Sequence, residues 1–191
     1  VTDHLLWLDL ETTGTDETKD SIIEIGVIPT TTDLEILGEW VEIVWPTDEA
    51  LGRLLRNDVV HAMHEGNGLL WELSERDEDL ATIGRVEYEL IQWLDAFGLG
   101  TQWVLAGSGV GHFDRRFIKA QMPRLDQRLR HWCIDMGVLR RAHQMWSGGP
   151  TPTAPEPKPH RALDDAYLHL AEARQWKDYF RGAEDLFGEH T

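Results

Sequence analysis

The sequence predicts an α/β fold, a mixed five-stranded sheet with helices on its faces. Three observations predict it. Three apolar runs crowd together between residues 4 and 45, close enough for an antiparallel meander. After residue 80, apolar residues recur at helical spacing and then alternate with short strand-like runs. Turn-forming Gly, Pro, Thr and Asp clusters separate the segments. A meander followed by strand–helix alternation indicates a partly antiparallel, partly parallel sheet.

Residues 4–10 (HLLWLDL) read as a buried strand ended by Thr-Thr-Gly. Residues 21–29 and 34–45 supply the second and third strands. The 50–76 stretch suggests short helices around a Gly-Asn-Gly break at 66–68. Over 81–97, Ile83, Val86, Leu90, Ile91, Leu94 and Phe97 mark one face of a helix. A strand at 102–106 leads into the glycine-rich turn GSGVG, then a helix from about Phe113 that stops at Pro123. A short strand at 131–135 precedes a helix reaching Trp146. The Gly/Pro-rich run 147–159 cannot be regular structure, and a last long helix begins near Arg161.

At 191 residues and 41% hydrophobic, the chain suits a single domain, 1–191, with a substantial core. No apolar run approaches a membrane span, so no membrane partner is expected. The opening residues lack a signal-peptide pattern, and the one cysteine, Cys133, cannot form an intramolecular disulfide. A reducing, cytoplasmic setting is therefore expected. The net charge of −16 argues against wrapping long nucleic acid. From Arg115 to Arg141, however, eight basic residues face two acidic ones. Such a segment either holds a small polyanion or is a solvated helix face.

Asp9 and Glu11 lie two apart on the first strand, so both carboxylates face one way. Such a pair either binds a hard divalent cation or marks a strand emerging into solvent. Asp114 opens a helix after the glycine-rich turn, where it caps that helix or joins a site at the strand ends. His160, Asp164 and Asp165 lie where the Pro-rich run meets the last helix. Alone, each is explained by helix-end electrostatics. Together, four carboxylates from three segments and one histidine match two-metal phosphodiester hydrolysis, with the histidine as general base.

WLDLETTGTD at 7–16 with DSIIEIG at 20–26, GSGVGHFDRRF at 107–117 and HRALDD at 160–165 resemble the three motifs of the DEDDh exonucleases. Within that superfamily the chain is similar to the oligoribonucleases, also through MHEGNGL at 63–69 and DRRFIKAQMPRLD at 114–126. The resemblance implies a ribonuclease H-like fold and 3′→5′ exonuclease activity on single-stranded oligonucleotide, short RNA first. It implies two divalent cations, Mg²⁺ or Mn²⁺, and a homodimer. Asp9, Glu11, Asp114 and Asp165 would be the metal ligands and His160 the base, with Asp164 the competing ligand. His64 would stack on a base, and the backbone at Thr12 and Thr13 would lie near the terminal nucleotide.

Several positions depart from the family. Thr15 stands where a wedging leucine is usual, and Val59 replaces an aromatic residue. Trp132 stands in place of a phosphate-clamping arginine, and Gly137 and Val138 in place of hydroxyl residues. Loss of that clamp would leave the 5′ side open to longer strands, unless Arg130, Arg140 or Arg141 supplies phosphate contacts from a different position. Arg130 is accordingly expected to contact substrate, and Trp132 a base or a second subunit. The rival expectations are a proofreading or repair exonuclease acting on longer single-stranded DNA, and a silent nucleic-acid-binding module.

Overall fold

A computed structural model describes residues 3–79, 81–100, 102–147, 152 and 160–187, the last five by their backbone. The Gly/Pro-rich run expected at 147–159 lies outside the described residues, apart from Ser147 and Pro152. Five strands form one sheet: β1 (Leu5–Thr12), β2 (Ile22–Thr30), β3 (Trp40–Ile43), β4 (Trp103–Gly107) and β5 (Leu129–Asp135). Their order is β3-β2-β1-β4-β5, and only β2 runs against the others. Mixed polarity is therefore as expected.

Alternation along β1 divides the core in two. Leu6, Leu8 and Leu10 face a cluster that includes Val86, Leu90, Phe117 and Ile118. These come from α4 (Ile83–Asp95) and α5 (Asp114–Gln121). Leu5 and Trp7 face the opposite way, onto Ala166, Leu170, Ala173 and Trp176 of α8 (Ala162–Phe187). The next two residues on that second face are Asp9 and Glu11, so the apolar stripe ends in carboxylates where α8 begins. Gly26, opposite Asp9 on β2, allows this closeness: a Cβ there would lie 2.3 Å from the Leu163 amide nitrogen.

The third strand is shorter than the expected 34–45. A turn occupies its first part: Leu34 has φ 68° and donates to the Thr31 carbonyl, leaving one isolated bridge between Thr30 and Ile36. Alternating apolar residues in LEIL mimic a strand, but the left-handed residue re-aims the chain before pairing starts. Three short helices follow: α1 (Asp48–Leu54), α2 (Asp58–Gly66) and α3 (Leu69–Ser74). Gly68, at φ +82°, makes the break between α2 and α3. Pro123 ends α5, as expected, and also opens one further turn, α6 (Pro123–Asp126), as its first residue. From β5 the chain enters α7 (Met136–Trp146), capped by the Asp135 side chain accepting from the Val138 amide. Among the described residues no helix is long and apolar enough to cross a membrane.

Candidate active site

The carboxylates gather at the C-terminal end of β1. Glu11, Asp114 and Asp165 are all buried, and Asp9 is half-buried. Asp114 does not cap its own helix. Its Oδ1 accepts from the amide of Leu10, 3.1 Å away, which sets it against the backbone between Asp9 and Glu11. Asp165 lies in the first turn of α8, facing inward, while Asp164 points to solvent. Of the two, only Asp165 therefore faces the buried carboxylates. Glu11, His160 and Asp165 offer atoms that all lie within 4.8 Å of one another.

This donor set fits a hard divalent cation. Three buried carboxylates in one place are costly unless positive charge offsets them. Carboxylate oxygens suit magnesium and manganese, whereas imidazole is the softer donor. His160 is exposed and has φ 52°, a left-handed conformation for a residue that is not glycine.

Several residues that the sequence reading missed hold this arrangement. Glu24 on β2 lies opposite Glu11 and is only 1% exposed. It accepts from Arg161 Nε at 3.0 Å and Nη2 at 2.7 Å, and from the Ala162 amide at 2.8 Å. Glu72 on α3 takes the other side of the same guanidinium at 2.8 and 2.9 Å. These bonds, to Glu72 first and then Glu24, hold Arg161 protonated far above any working pH. The Asn67 amide donates to the His160 carbonyl. His169, fully buried one turn beyond Asp165, places Nδ1 3.8 Å from Asp9 Oδ1. The available signal was Glu24 itself: a charge inside the apolar run IIEIGVI demands a buried partner.

The expected substrate contacts are scattered. Thr12 and Thr13 lie at the site, both buried, with Thr13 Oγ1 accepting from the Ser21 amide. His64 is fully buried, its Nε2 3.1 Å from the Thr12 carbonyl oxygen and its Nδ1 3.9 Å from Glu11 Oε2. Burial pushes its imidazole below the usual pKa. The ring expected to stack on a base is thus wholly buried and bonded to the Thr12 carbonyl. Arg130 follows Leu129, which pairs with Trp103 at the end of the sheet away from Glu11, and it bonds Asp3 at 3.0 Å. Trp132 is exposed on the edge strand β5.

The basic segment also resolves. Arg115, Arg116, Arg128, Arg130 and Arg140 pair with Asp126, Glu17, Asp95, Asp3 and Glu172 of the same chain. Most of it is thus internal wiring and not a polyanion surface. Arg141 is exposed, with a guanidinium nitrogen beside Gly137.

An exonuclease family model, RNase_T, matches residues 6–51. The chain is 33% identical over 184 residues to the oligoribonuclease of Leifsonia xyli, covering 95% of this chain and 84% of that one. It is 34% identical over 182 residues to the oligoribonuclease of Mycobacterium bovis, covering 92% and 80%. Among solved structures, the nuclease domain of 3′hExo, a DEDDh family member bound to rAMP, superposes with TM-score 0.62 at 20% identity, covering 93% and 92%. Escherichia coli exonuclease I in complex with single-stranded DNA superposes with TM-score 0.60 at 17% identity; all of this chain is covered, but only 43% of that one. These two likenesses give the fold, which is ribonuclease H-like. The sequence relatives, alike over more than nine-tenths of the chain, give the closer kinship: the protein belongs to the oligoribonuclease family of 3′→5′ exonucleases.

Proposed function

We propose that the protein degrades short single-stranded RNA from its 3′ end, releasing nucleoside 5′-monophosphates. One observation carries this reading: Glu11, Asp165 and His160, from two distant segments, meet within 4.8 Å beside Asp9 and Asp114. Asp9, Glu11, Asp114 and Asp165 would hold two divalent cations, magnesium or manganese. When bound, these supply a more acidic water and neutralise charge on the leaving 3′ oxygen. His160 takes the proton of the attacking water, because it is the exposed titratable group at the rim of a buried carboxylate set. The backbone of Thr12 and Thr13, tied to Ser21 and His64, forms the rigid floor for the terminal nucleotide. Its single cysteine accords with action in a reducing cytoplasm. A homodimer is supported by an aromatic face that the described residues leave uncovered, where Trp146, Tyr179 and Phe180 are exposed.

A second reading, a broader exonuclease that also takes longer single-stranded DNA, is favoured by the fifth strand and seventh helix. Arg130 and Arg140, two of the three basic residues that could clamp a 5′ phosphate, are bonded to Asp3 and Glu172, which leaves the exposed Arg141 as the third. A time course on labelled RNA and DNA of two, five and twenty nucleotides, with manganese or with chelator, separates the two. Cleavage confined to the shortest RNA supports the first reading. A ladder running down from long strands supports the second. No cleavage in manganese overturns both.

A further inference from the structure

The Gly66-Asn67-Gly68 break between α2 and α3 does more than reverse the chain. Asn67 Oδ1 accepts from the Leu69 amide at 3.0 Å, which orients the side chain. Its Nδ2 then donates to the carbonyl of His160, 93 residues away. Five residues further on, Glu72 grips Arg161 with both oxygens. At the near end of the same unit, His64 bonds the carbonyl of Thr12. The α2–α3 unit therefore touches the site at three points: the Thr12 carbonyl at the end of β1, the carbonyl of His160 and the guanidinium of Arg161.

His160 needs such support. Its left-handed backbone is strained for a residue with a Cβ and persists only where the surroundings impose it. Glu72 is 38% exposed, so its ion pair adds little to global stability. Its bonds instead fix geometry. We propose that Asn67 and Glu72 are positioning residues for the general base: with Arg161 as the link, they hold His160 at a set distance from Glu11. Neither reaches the carboxylate cluster itself; each acts through residues 160 and 161. The inference rests on the assignment of His160 as the proton acceptor.

The experiment is steady-state kinetics on a five-nucleotide RNA with the full chain and manganese. The variants are Asn67→Ala, Glu72→Ala, the milder Glu72→Gln, His160→Ala, and Glu72→Ala combined with His160→Ala. Asn67→Ala and Glu72→Ala should each lower kcat about ten-fold, since misplacements below 1 Å already slow a positioned reaction. KM and the midpoint of manganese titration should stay at wild-type values, and the melting temperature should fall by less than about 4 °C. In the His160→Ala background, Glu72→Ala should cause no further loss, because its effect runs through that imidazole. Unchanged kcat in Asn67→Ala, Glu72→Ala and Glu72→Gln overturns the proposal. So does an equal loss with and without His160, or a loss that tracks a lowered melting temperature. If His160→Ala alone turns over like wild type, the base assignment fails and takes the proposal with it, a pattern distinct from the others.

Discussion

Glu24→Ala should cost the fold much more than Glu72→Ala, although both carboxylates hold the same arginine. Glu24 is 1% exposed and Glu72 38%, while Arg161 between them is 22% exposed. Removing Glu24 takes the acceptor from three donors at once: two guanidinium nitrogens and the first amide of α8. Breaking a buried pair in this way costs ~3–5 kcal/mol. Arg161 keeps Glu72 and some access to water, so the lower end, about 3 kcal/mol, applies. For a chain of this size each kcal/mol lowers the melting temperature by about 2–4 °C, giving a drop of about 6–12 °C. Glu72→Ala loses a half-exposed contact worth ~0–1 kcal/mol, and its melting temperature should fall by less than about 4 °C. Scanning calorimetry of both variants without metal decides the matter. Equal melting temperatures, or a smaller drop for Glu24→Ala, would refute the view that the α8 N-terminus is anchored mainly to the sheet.

Three further outcomes are expected. His160→Ala should lower turnover strongly, by about 10²-fold or more, with manganese affinity by calorimetry largely intact; equal turnover would remove the base assignment. Asp9→Ala should abolish activity at every magnesium concentration, and rescue by excess metal would show that Asp9 is not a direct ligand. Adding manganese to metal-free protein should raise its melting temperature, by linkage worth ~2.7 kcal/mol at a hundred times the dissociation constant. Lack of any shift would mean that the buried carboxylates do not bind the ion.

Much of the sheet was legible because strand periodicity is local. The run LLWLDLET shows both its alternation and its change from apolar to acidic, and it occupies the centre of the sheet. Asp9, Glu11, Asp114, His160 and Asp165 were legible as a set because costly residue types cluster in short motifs. What escaped were features set by tertiary contact. Leu34 looks like a strand residue and adopts a left-handed turn. The arginine-rich segment looks like a phosphate surface, yet its partners Asp3, Glu17, Asp95 and Glu172 lie far away in sequence. The complete burial of His64 against the Thr12 carbonyl is likewise invisible in its sequence neighbours.

The internal pairing of those arginines has a consequence for how substrate arrives. With five of the basic side chains neutralised at home and a net charge of −16, the body repels an oligonucleotide at long range. Encounter rates should therefore rise as monovalent salt increases, because screening weakens the repulsion beyond a Debye length of about 10 Å at 0.1 M. That is the reverse of the behaviour of proteins that capture nucleic acid by releasing its counterions. A body of this kind is poorly suited to tracking along long polyanions, and it leaves short fragments, which carry few charges, as the ones that approach most easily.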